Sequence, residues 1–365
     1  MEAHGGRESR PGGNQGQVNS LRRVETVLRG ETPDRIPVCL HNFWLAAKEA
    51  GVPLEQYLTQ PEAAARVHLG AVEKYGYDCI LIDLDTTMLA EAMGAKRDCT
   101  PNEPGHIAAP AINSLGEAGR LKPVNPQRDG RIPVLLEAVR IMARAVGSEI
   151  AIRANADQGA FSLACLLRGM QDFLIDLAAE PDNPAIRRLL EVAYQSHLAT
   201  HRALRAAGAH FTSLGDSPAG PDVVSPAMFR RFARPYQERL VRELAADGIF
   251  TVIHICGNTT AILDQLAQYP ACGFELDYKT DARRAKALVG AGHVLFGNVD
   301  PSGLLARGTP AQVREATRQL IELWKPGGRF ILNAGCAIPP TTPTENLRAF
   351  IQAAKEFGTY DYIAT

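Results

Sequence analysis

One histidine and two cysteines stand at the ends of two hydrophobic runs of the sequence. The first run, Phe250 to Ile255, contains His254 and is followed by Cys256. In a strand, residues i and i+2 point to the same face, so this spacing places an imidazole nitrogen beside a thiol. The second run ends in Gly335-Cys336, and two strand ends in one sheet can bring the three groups together. One His and two Cys suit zinc, with a fourth position left for a carboxylate, water or substrate.

A His-x-Cys pair taken alone has a plainer explanation. The histidine can be hydrogen-bonded within a core strand, and the cysteine can behave as a small hydrophobic residue. The interpretation as a metal site therefore depends on what the rest of the chain supplies.

The composition of the chain is typical of a globular protein with a full-sized core. It has 365 residues, of which 45% are hydrophobic and 22% are charged. Lys plus Arg is 39 and Asp plus Glu is 40, a near-neutral balance that predicts neither nucleic acid nor an anionic membrane as a partner. No apolar run is long enough to span a bilayer.

The seven cysteines are odd in number and scattered, which argues against a disulfide framework and favours a reducing cytoplasm. We expect Cys39, Cys79, Cys165 and Cys272 to pack in the core. Residues 1–19 are rich in Gly, Asn, Gln and charge, with no apolar core for a signal peptide. They predict a disordered arm before a single folded domain over residues 20–365.

Strand-like runs alternate with helix-like segments through this domain. Eight strands, each followed by helix, favour a closed (β/α)8 TIM barrel over an open doubly wound sheet. No GxGxxG follows a strand, so nothing supports dinucleotide binding. Residues 99–131 are rich in Pro, Gly and Asn, and we expect them to form a lid or hairpin over one end. The predicted strands are Arg35–His41, Asp78–Asp85, Glu149–Asn155, His210–Asp216, Phe250–Cys256, Gly273–Tyr278, His293–Asn298 and Arg329–Cys336.

Polar residues occur at or near the C-terminal ends of these strands, where barrels of this kind build their active sites. For any single member, a helix cap or a strand-end hydrogen bond is the alternative; the group as a whole favours a functional mouth. His293 lies at the start of its strand, so we expect a structural role for it. The residues at the mouth are His41, Asp85, Asn155, Asp216, His254, Cys256, Glu275, Asp277, Asn298 and Cys336.

Several segments resemble the uroporphyrinogen decarboxylase superfamily, from about residue 20 to the C-terminus. The block that begins at Asn333 is the most specific, and the fold that the resemblance implies is the same barrel. The segments are Arg23–Pro37, Asp216-Ser-Pro-Ala-Gly with Val224-Ser-Pro, Phe232-Ala-Arg-Pro-Tyr, Gly297-Asn-Val-Asp-Pro and Asn333-Ala-Gly-Cys-Ala-Ile-Pro-Pro-Thr-Thr-Pro-Thr-Glu-Asn.

Within that superfamily the chain is similar to the methylcobalamin:coenzyme M methyltransferases and related corrinoid-dependent enzymes. Their zinc motif, His-x-Cys with a distant Gly-Cys, carries over to His254, Cys256 and Cys336. The resemblance implies transfer of a methyl group between a methylcorrinoid (methylcobalamin or a separate corrinoid protein) and a zinc-activated thiol such as coenzyme M or homocysteine. Zinc would deprotonate that thiol. Glu275 or Asp277 is the expected fourth ligand, with water as the alternative.

The methyltransferase interpretation also gives expected roles to the remaining polar residues at the mouth. We expect Asp85 and Asp216 to be catalytic groups that position the substrate or hydrogen-bond the metal ligands. We expect Asn298, Asn155 and His41 to contact the corrinoid. The direction of methyl transfer and the identity of the donor and the acceptor stay open.

Two other functions stay open as well. True decarboxylases carry an arginine-rich stretch after the first strand and end the last strand in Gly-His. Here the stretch from Cys39 to Ala47 has no arginine, and Gly335 is followed by Cys336. Asp85, nine residues before Gly94, does match the position of the decarboxylases' essential aspartate, so tetrapyrrole decarboxylation is an alternative. A non-catalytic barrel that binds a corrinoid or a thiol is another.

Overall fold

The computed structural model describes residues 18–99 and 104–360, and eight of their strands form one parallel sheet. Two further strands, β3 and β4, form a separate antiparallel pair. The strands are β1 (Cys39–Leu40), β2 (Cys79–Ile82), β3 (Lys96–Asp98), β4 (His106–Ala109), β5 (Ala151–Gln158), β6 (Phe211–Gly215), β7 (Thr251–Ile255), β8 (Gly273–Leu276), β9 (Val294–Val299) and β10 (Phe330–Ala334).

The parallel sheet closes into a barrel. Its strand order is β1-β2-β5-β6-β7-β8-β9-β10, so the chain adds each barrel strand beside the previous one. The last strand meets the first where the backbone N–H of Leu332 donates to the carbonyl of Pro37 at 2.9 Å, beside a parallel bridge between Leu332 and Val38. The (β/α)8 TIM barrel predicted from the sequence is confirmed.

Helices surround the barrel, and all of them except the three-residue helix Pro226–Met228 bury apolar side chains. None of those in the described ranges combines the length and the apolar character that crossing a bilayer requires. The helices are α1 (Ser20–Leu28), α2 (Phe43–Glu49), α3 (Leu54–Thr59), α4 (Pro61–Tyr75), α5 (Met88–Ala92), α6 (Ile132–Val146), α7 (Ala160–Arg168), α8 (Met170–Ala179), α9 (Pro184–Ala207), α10 (Pro226–Met228), α11 (Arg234–Ala246), α12 (Leu263–Leu266), α13 (Ala282–Leu288), α14 (Pro310–Trp324) and α15 (Thr344–Phe357).

Helix α1 covers the N-terminal end of the barrel and leaves the other end open. Val24 and Val27 pack with inward-facing strand residues such as Phe211 and Phe296. The guanidinium of Arg23 pairs with Asp78, just before β2, at 2.8 Å. Because this end is plugged, a bound molecule has access to the barrel interior from the C-terminal ends of the strands.

Four buried cysteines and one histidine have the structural positions expected for them. Cys39, Cys79, Cys165 and Cys272 are buried and unpaired. Near the start of β9, His293 Nε2 lies 3.1 Å from the carbonyl of Tyr269, away from the open end. These side chains therefore take no part in the mouth of the barrel.

The segment of residues 99–131 contains one strand of an antiparallel hairpin, β4, and the other strand, β3, comes just before the segment. Residues 100–103 of the expected excursion lie outside the described residues. So do residues 1–17 of the expected N-terminal arm. Asn19, which we assigned to that arm, instead caps α1 by accepting a hydrogen bond from the backbone N–H of Arg22 at 2.9 Å.

Candidate functional site

His254, Cys256 and Cys336 meet at the open end of the barrel. Nε2 of His254 lies 2.9 Å from Sγ of Cys256, and the two Sγ atoms lie 3.6 Å apart. The three potential ligand atoms all lie within 4.8 Å of one another. The structure thus brings together the three residues that the sequence analysis selected from two separate strand ends.

The backbone of the neighbouring strand fixes the orientation of the His254 ring. In the β7–β8 register His254 is opposite Glu275, and Nδ1 lies 2.9 Å from the backbone carbonyl of Glu275. A proton on Nδ1 that is donated to this carbonyl leaves Nε2 facing the sulfur atoms. Metal-binding histidines are commonly oriented in this way.

Gly335 explains how Cys336 can come so close to the end of β8. A Cβ atom at position 335 would collide with the backbone of Tyr278. The backbone N–H of Gly335 also donates to the carbonyl of Val299 at 2.8 Å, which continues the β9–β10 pairing by one residue. The Gly-Cys pair of the sequence therefore has a steric cause.

Without a metal, the three groups share protons. Burial acts to lower the pKa of His254, but the charge and hydrogen bond of Cys256, together with the charge and the backbone carbonyl of Glu275, outweigh it and raise the pKa above its ordinary value. The hydrogen bond from the Cys336 thiol lowers the pKa of Cys256, against the effect of burial. The same hydrogen bond, with burial, raises the pKa of Cys336. The three side chains are therefore joined by shared protons, and a cation could take the place of those protons.

The donor set fits a zinc ion. Two thiolates bound at about 2.3 Å in a tetrahedral site lie about 3.8 Å apart, close to the 3.6 Å observed between Cys256 and Cys336. The distance from Nε2 of His254 to Sγ of Cys256 would have to increase from 2.9 Å to about 3.6 Å, which small side-chain rotations allow.

The structure corrects our expectation that Glu275 completes this set. Its Oε1 atom lies 4.0 Å from Nδ1 of His254, on the side of the ring that faces away from the sulfur atoms. The carboxylate instead pairs with the guanidinium of Arg153, and both side chains are almost fully buried. Burial acts to raise the pKa of Glu275, but Arg153, together with His254 and His41, outweighs it and lowers the pKa. Arg153 therefore holds the carboxylate ionised outside the ligand set.

The structure gives Asp277 a different role from the metal ligand that we expected. Its Oδ2 accepts a hydrogen bond from the backbone N–H of Gly257 at 2.9 Å, and its Oδ1 accepts one from the backbone N–H of Lys279 at 2.9 Å. The side chain thus ties the loop after Cys256 to the loop after β8. It supports the position of Cys256 without reaching the cluster.

A cavity of about 250 Å³ opens beside the cluster at the barrel mouth. Four of the predicted mouth residues, His41, Asp85, Asn155 and Glu275, line it together with the cluster. The other lining side chains include Phe43, Trp44, Asp83, Arg153, Gln158 and Ser217. A molecule in this cavity would contact the candidate metal site and the ends of strands on the opposite side of the barrel.

His41 and Asn155, both expected to bind the corrinoid, surround Asp83 inside the cavity. Nε2 of His41 lies 3.5 Å from Oδ2 of Asp83, and Nδ1 lies 3.9 Å from Oε1 of Glu275. Nδ2 of Asn155 donates to Oδ2 of Asp83 at 3.0 Å. Both predicted residues are therefore placed to contact a ligand, either directly or through Asp83.

Asp85 lies at the cavity wall, where two arginines and a backbone N–H contact its carboxylate oxygens. Its Oδ2 is 2.9 Å from Nη2 of Arg131 and 3.5 Å from Nε of Arg97. Its Oδ1 accepts a hydrogen bond from the backbone N–H of Thr87 at 2.9 Å. This carboxylate anchors the β3–β4 hairpin and the loop after β2.

Asp216 and Asn298 do not line the cavity, which corrects the catalytic and cofactor-binding roles expected of them. Asp216 accepts hydrogen bonds from the backbone N–H of Ser162 at 2.9 Å and from Gln237 at 2.6 Å. Asn298 donates to the carbonyl of Asp277 at 3.3 Å. Both side chains therefore form hydrogen bonds at strand ends, which is the structural alternative to a functional role at the mouth.

The sequence analysis missed Asp83, Arg153 and Trp44 at the cavity. Two of them carried a signal. Asp83 is two residues before Asp85 in the same strand-like run, so alternation puts both on one face. Arg153 is a charge in the middle of a buried strand, which requires a partner. Trp44 follows the first strand in a segment with no polar signal.

A family model described as uroporphyrinogen decarboxylase (URO-D) matches residues 19–357. Among curated proteins, the methylcobamide:CoM methyltransferase MtaA of Methanosarcina barkeri is 30% identical over 344 residues, covering 92% of this chain and 97% of the relative. A uroporphyrinogen decarboxylase of Thermus thermophilus is 32% identical over 357 residues, covering 93% of this chain and 98% of the relative.

A solved structure described as a methyltransferase from Methanosarcina mazei is similar throughout. It superimposes with a TM-score of 0.84 at 27% sequence identity, covering 93% of this chain and 99% of that one. The whole barrel, including the strands that carry the cluster, is therefore common to both chains.

Proposed function

The chain belongs to the uroporphyrinogen decarboxylase family, and within it we propose that this protein is a zinc-dependent methyltransferase acting between a methylcorrinoid and a small thiol. The observation that carries the proposal is the cluster of His254, Cys256 and Cys336 beside the cavity. Overall similarity does not separate methyltransferases from decarboxylases, because relatives of both kinds are about equally similar to the chain. The donor set of His254, Cys256 and Cys336 is what favours the methyltransferase.

The side chains around the cluster prepare it for a substrate thiol. A zinc ion bound there would keep such a thiol deprotonated and nucleophilic at neutral pH, where a free thiol is mostly protonated. The carbonyl of Glu275 fixes the ring of His254, and Asp277 fixes the loop after Cys256. Arg153 balances the buried charge of the Glu275 carboxylate, so that this charge does not repel an incoming thiolate.

The size of the cavity supports a small acceptor and an external corrinoid. At about 250 Å³ it lies below the range of drug-sized ligand pockets, so a corrinoid ring would cover the mouth from outside. Methylcobalamin or a separate corrinoid protein would present the methyl group there. The seven unpaired cysteines support a cytoplasmic location for this reaction.

One observation keeps decarboxylation as a second candidate: Asp85, at the position of the decarboxylases' essential aspartate, does line the cavity. An observation against decarboxylation is that the arginines near the mouth, in the part of the chain that the structure describes, already have carboxylate partners. Arg153 pairs with Glu275, and Arg97 and Arg131 pair with Asp85. A tetrapyrrole with many carboxylates needs cations to replace its water, and these are engaged.

The experiment that tests the proposal compares two variants in two assays. Methyl transfer from methylcobalamin to small thiols is followed by the absorbance change on loss of the cobalt-bound methyl group. We expect transfer by the wild type, its abolition in Cys336→Ser, and a much smaller loss in Asp85→Asn. Release of carbon dioxide from uroporphyrinogen that survives Cys336→Ser but not Asp85→Asn would establish the decarboxylase instead. Thiol or corrinoid binding with no turnover in either assay would identify a non-catalytic barrel.

A further inference from the structure

Asp83 is the cavity carboxylate that has no arginine or lysine partner among the residues that the structure describes. Its side chain is 8% exposed, and the basic group nearest to it is His41, at 3.5 Å. The other contact to its carboxylate is the amide of Asn155 at 3.0 Å, which carries no charge. A nearly buried carboxylate facing a cavity without a cation is unfavourable unless a ligand supplies one.

The other charges around the cavity cancel. Glu275 is balanced by Arg153. Asp85 lies beside two arginines, and one of them, Arg131, also pairs with Glu91 at 2.7 Å, so this group of two acids and two bases is neutral. Two thiolates with a divalent zinc ion add no net charge either. Apart from the His41 ring, which lies between Asp83 and Glu275, the charge that remains at the cavity is that of Asp83.

An aromatic wall stands on the same side of the cavity. Phe43 and Trp44 follow His41 closely in the chain, and all three line the cavity. The ring centroids of His41 and Phe43 are 5.6 Å apart, and those of Phe43 and Trp44 are 5.8 Å apart. Trp44 is partly exposed and lines the cavity. A carboxylate beside aromatic rings is the chemistry that recognises an ammonium group.

Resting on the proposed thiol methyltransferase function, we propose that the cavity selects a small thiol whose far end carries an ammonium group. The thiol faces the cluster, and the ammonium pairs with Asp83 and lies against Trp44. An anionic head, such as a sulfonate, would meet the unbalanced carboxylate instead and be disfavoured.

The barrel geometry sets the length of this substrate. Cys336 follows β10 and Asp83 follows β2, with β1 between them. Neighbouring strands are about 4.8 Å apart, so the two strand ends are about 10 Å apart, and inward-pointing side chains shorten the gap. An aminothiol with about two to four carbon atoms between sulfur and nitrogen spans what is left.

The test uses three two-carbon thiols that differ in the charge of the head: cysteamine, 2-mercaptoethanol and 2-mercaptoethanesulfonate. Their affinities for the zinc-loaded protein are measured by calorimetry, and kcat/KM is measured with methylcobalamin as the donor. We expect the order cation, neutral, anion in both measurements. In Asp83→Asn, the preference for cysteamine over 2-mercaptoethanol should fall about tenfold to a hundredfold, as for loss of a charge-assisted hydrogen bond.

Two further variants complete the test. Trp44→Leu should reduce the same preference by a smaller factor and does not depend on how well Asp83→Asn folds. Asp247→Asn removes the same charge after α11, at the opposite end of the barrel, and should leave the preference unchanged.

The outcomes separate the inference from the function on which it rests. A preference for the sulfonate, or a preference for cysteamine that survives Asp83→Asn, overturns the inference while methyl transfer to thiols stands. Cysteamine binding that depends on Asp83, with no methyl transfer to any of the three thiols, supports the ammonium site and overturns the proposed function. Failure of all three thiols to bind overturns both.

Discussion

The Sγ atoms of Cys256 and Cys336 lie 3.6 Å apart although 80 residues separate the two cysteines in the chain. Their strands, β7 and β10, are not neighbours, because β8 and β9 lie between them in the sheet. The curvature of the barrel and the close approach of Gly335 to Tyr278 bring the thiols together. Since the fold itself positions the two sulfur atoms, removing one should release a metal without unfolding the barrel.

The first prediction therefore concerns metal content. We expect about one zinc ion per chain in the purified protein, and less than about a tenth of that in Cys256→Ser or Cys336→Ser, because loss of one thiolate breaks a three-residue donor set. Elemental analysis of the purified proteins measures this. Cys99→Ser, a cysteine outside the cluster, serves as the control and should keep its zinc. Full zinc content in both cluster variants would show that the metal binds elsewhere.

The positions of the cluster residues could be predicted from the sequence for a physical reason. The side-chain period of a strand is two, so His254 and Cys256 had to share a face. A parallel barrel gathers all its strand ends at one rim, so Cys336 had to lie at the same end of the barrel as the pair. These are properties of the backbone, and local sequence determines them.

The partners of the neighbouring carboxylates could not be predicted in the same way. Glu275 and Asp277 share a face of the same strand end, yet Arg153 on another strand holds one and the backbone of Gly257 holds the other. Asp216 was likewise bound by Ser162 and Gln237. Such contacts depend on which side chains meet across the barrel, and the order of residues along the chain does not show this. Residue spacing thus predicted which side chains gather at the mouth but not the partner that each carboxylate finds there.

The second prediction concerns the buried ion pair of Arg153 and Glu275. Arg153→Met should lower the free energy of unfolding by about 3–5 kcal/mol, because it leaves the Glu275 carboxylate buried and unpaired. The double variant Arg153→Met/Glu275→Leu should recover most of that loss. Urea denaturation at pH 7 measures each value. A double variant whose loss equals the sum of the two single losses would contradict a direct charge pair.

The third prediction tests the structural role of Asp216. Asp216→Ala should lower the free energy of unfolding by about 1–3 kcal/mol, because Ser162 and Gln237 lose a buried acceptor. The rate of methyl transfer per folded molecule should change little, since Asp216 does not line the cavity. Denaturation curves and the methylcobalamin assay measure the two effects. A stable variant with abolished transfer would restore the catalytic role.

The last prediction concerns the pH dependence of stability and two buried histidines on α9. Nε2 of His197 lies 3.1 Å from Nε2 of His201, and Nδ1 of His201 lies 2.7 Å from the hydroxyl of Thr212. Burial lowers the pKa of His197 to about 3, and burial with the charge of His197 lowers the pKa of His201 well below its ordinary value. The His197 ring is therefore neutral in the folded protein at pH 5, and the shift of His201 acts in the same direction.

In the unfolded chain each histidine has a pKa of about 6.5 and takes up a proton as the pH falls through that value. Between about pH 6.5 and pH 3 the unfolded state thus binds more protons than the folded state, so the free energy of unfolding must decrease as the pH falls. For His197 the loss at pH 5 is about 2 kcal/mol, and His201 adds to it. Urea denaturation from pH 8 to pH 5 measures this loss.

His197→Phe should reduce by one the number of extra protons that the unfolded state binds. The free energy of unfolding of this variant should therefore fall less steeply with decreasing pH than that of the wild type, by about 1.4 kcal/mol per pH unit below pH 6. Identical slopes for the two proteins would mean that His197 is protonated in the fold, against its burial beside His201.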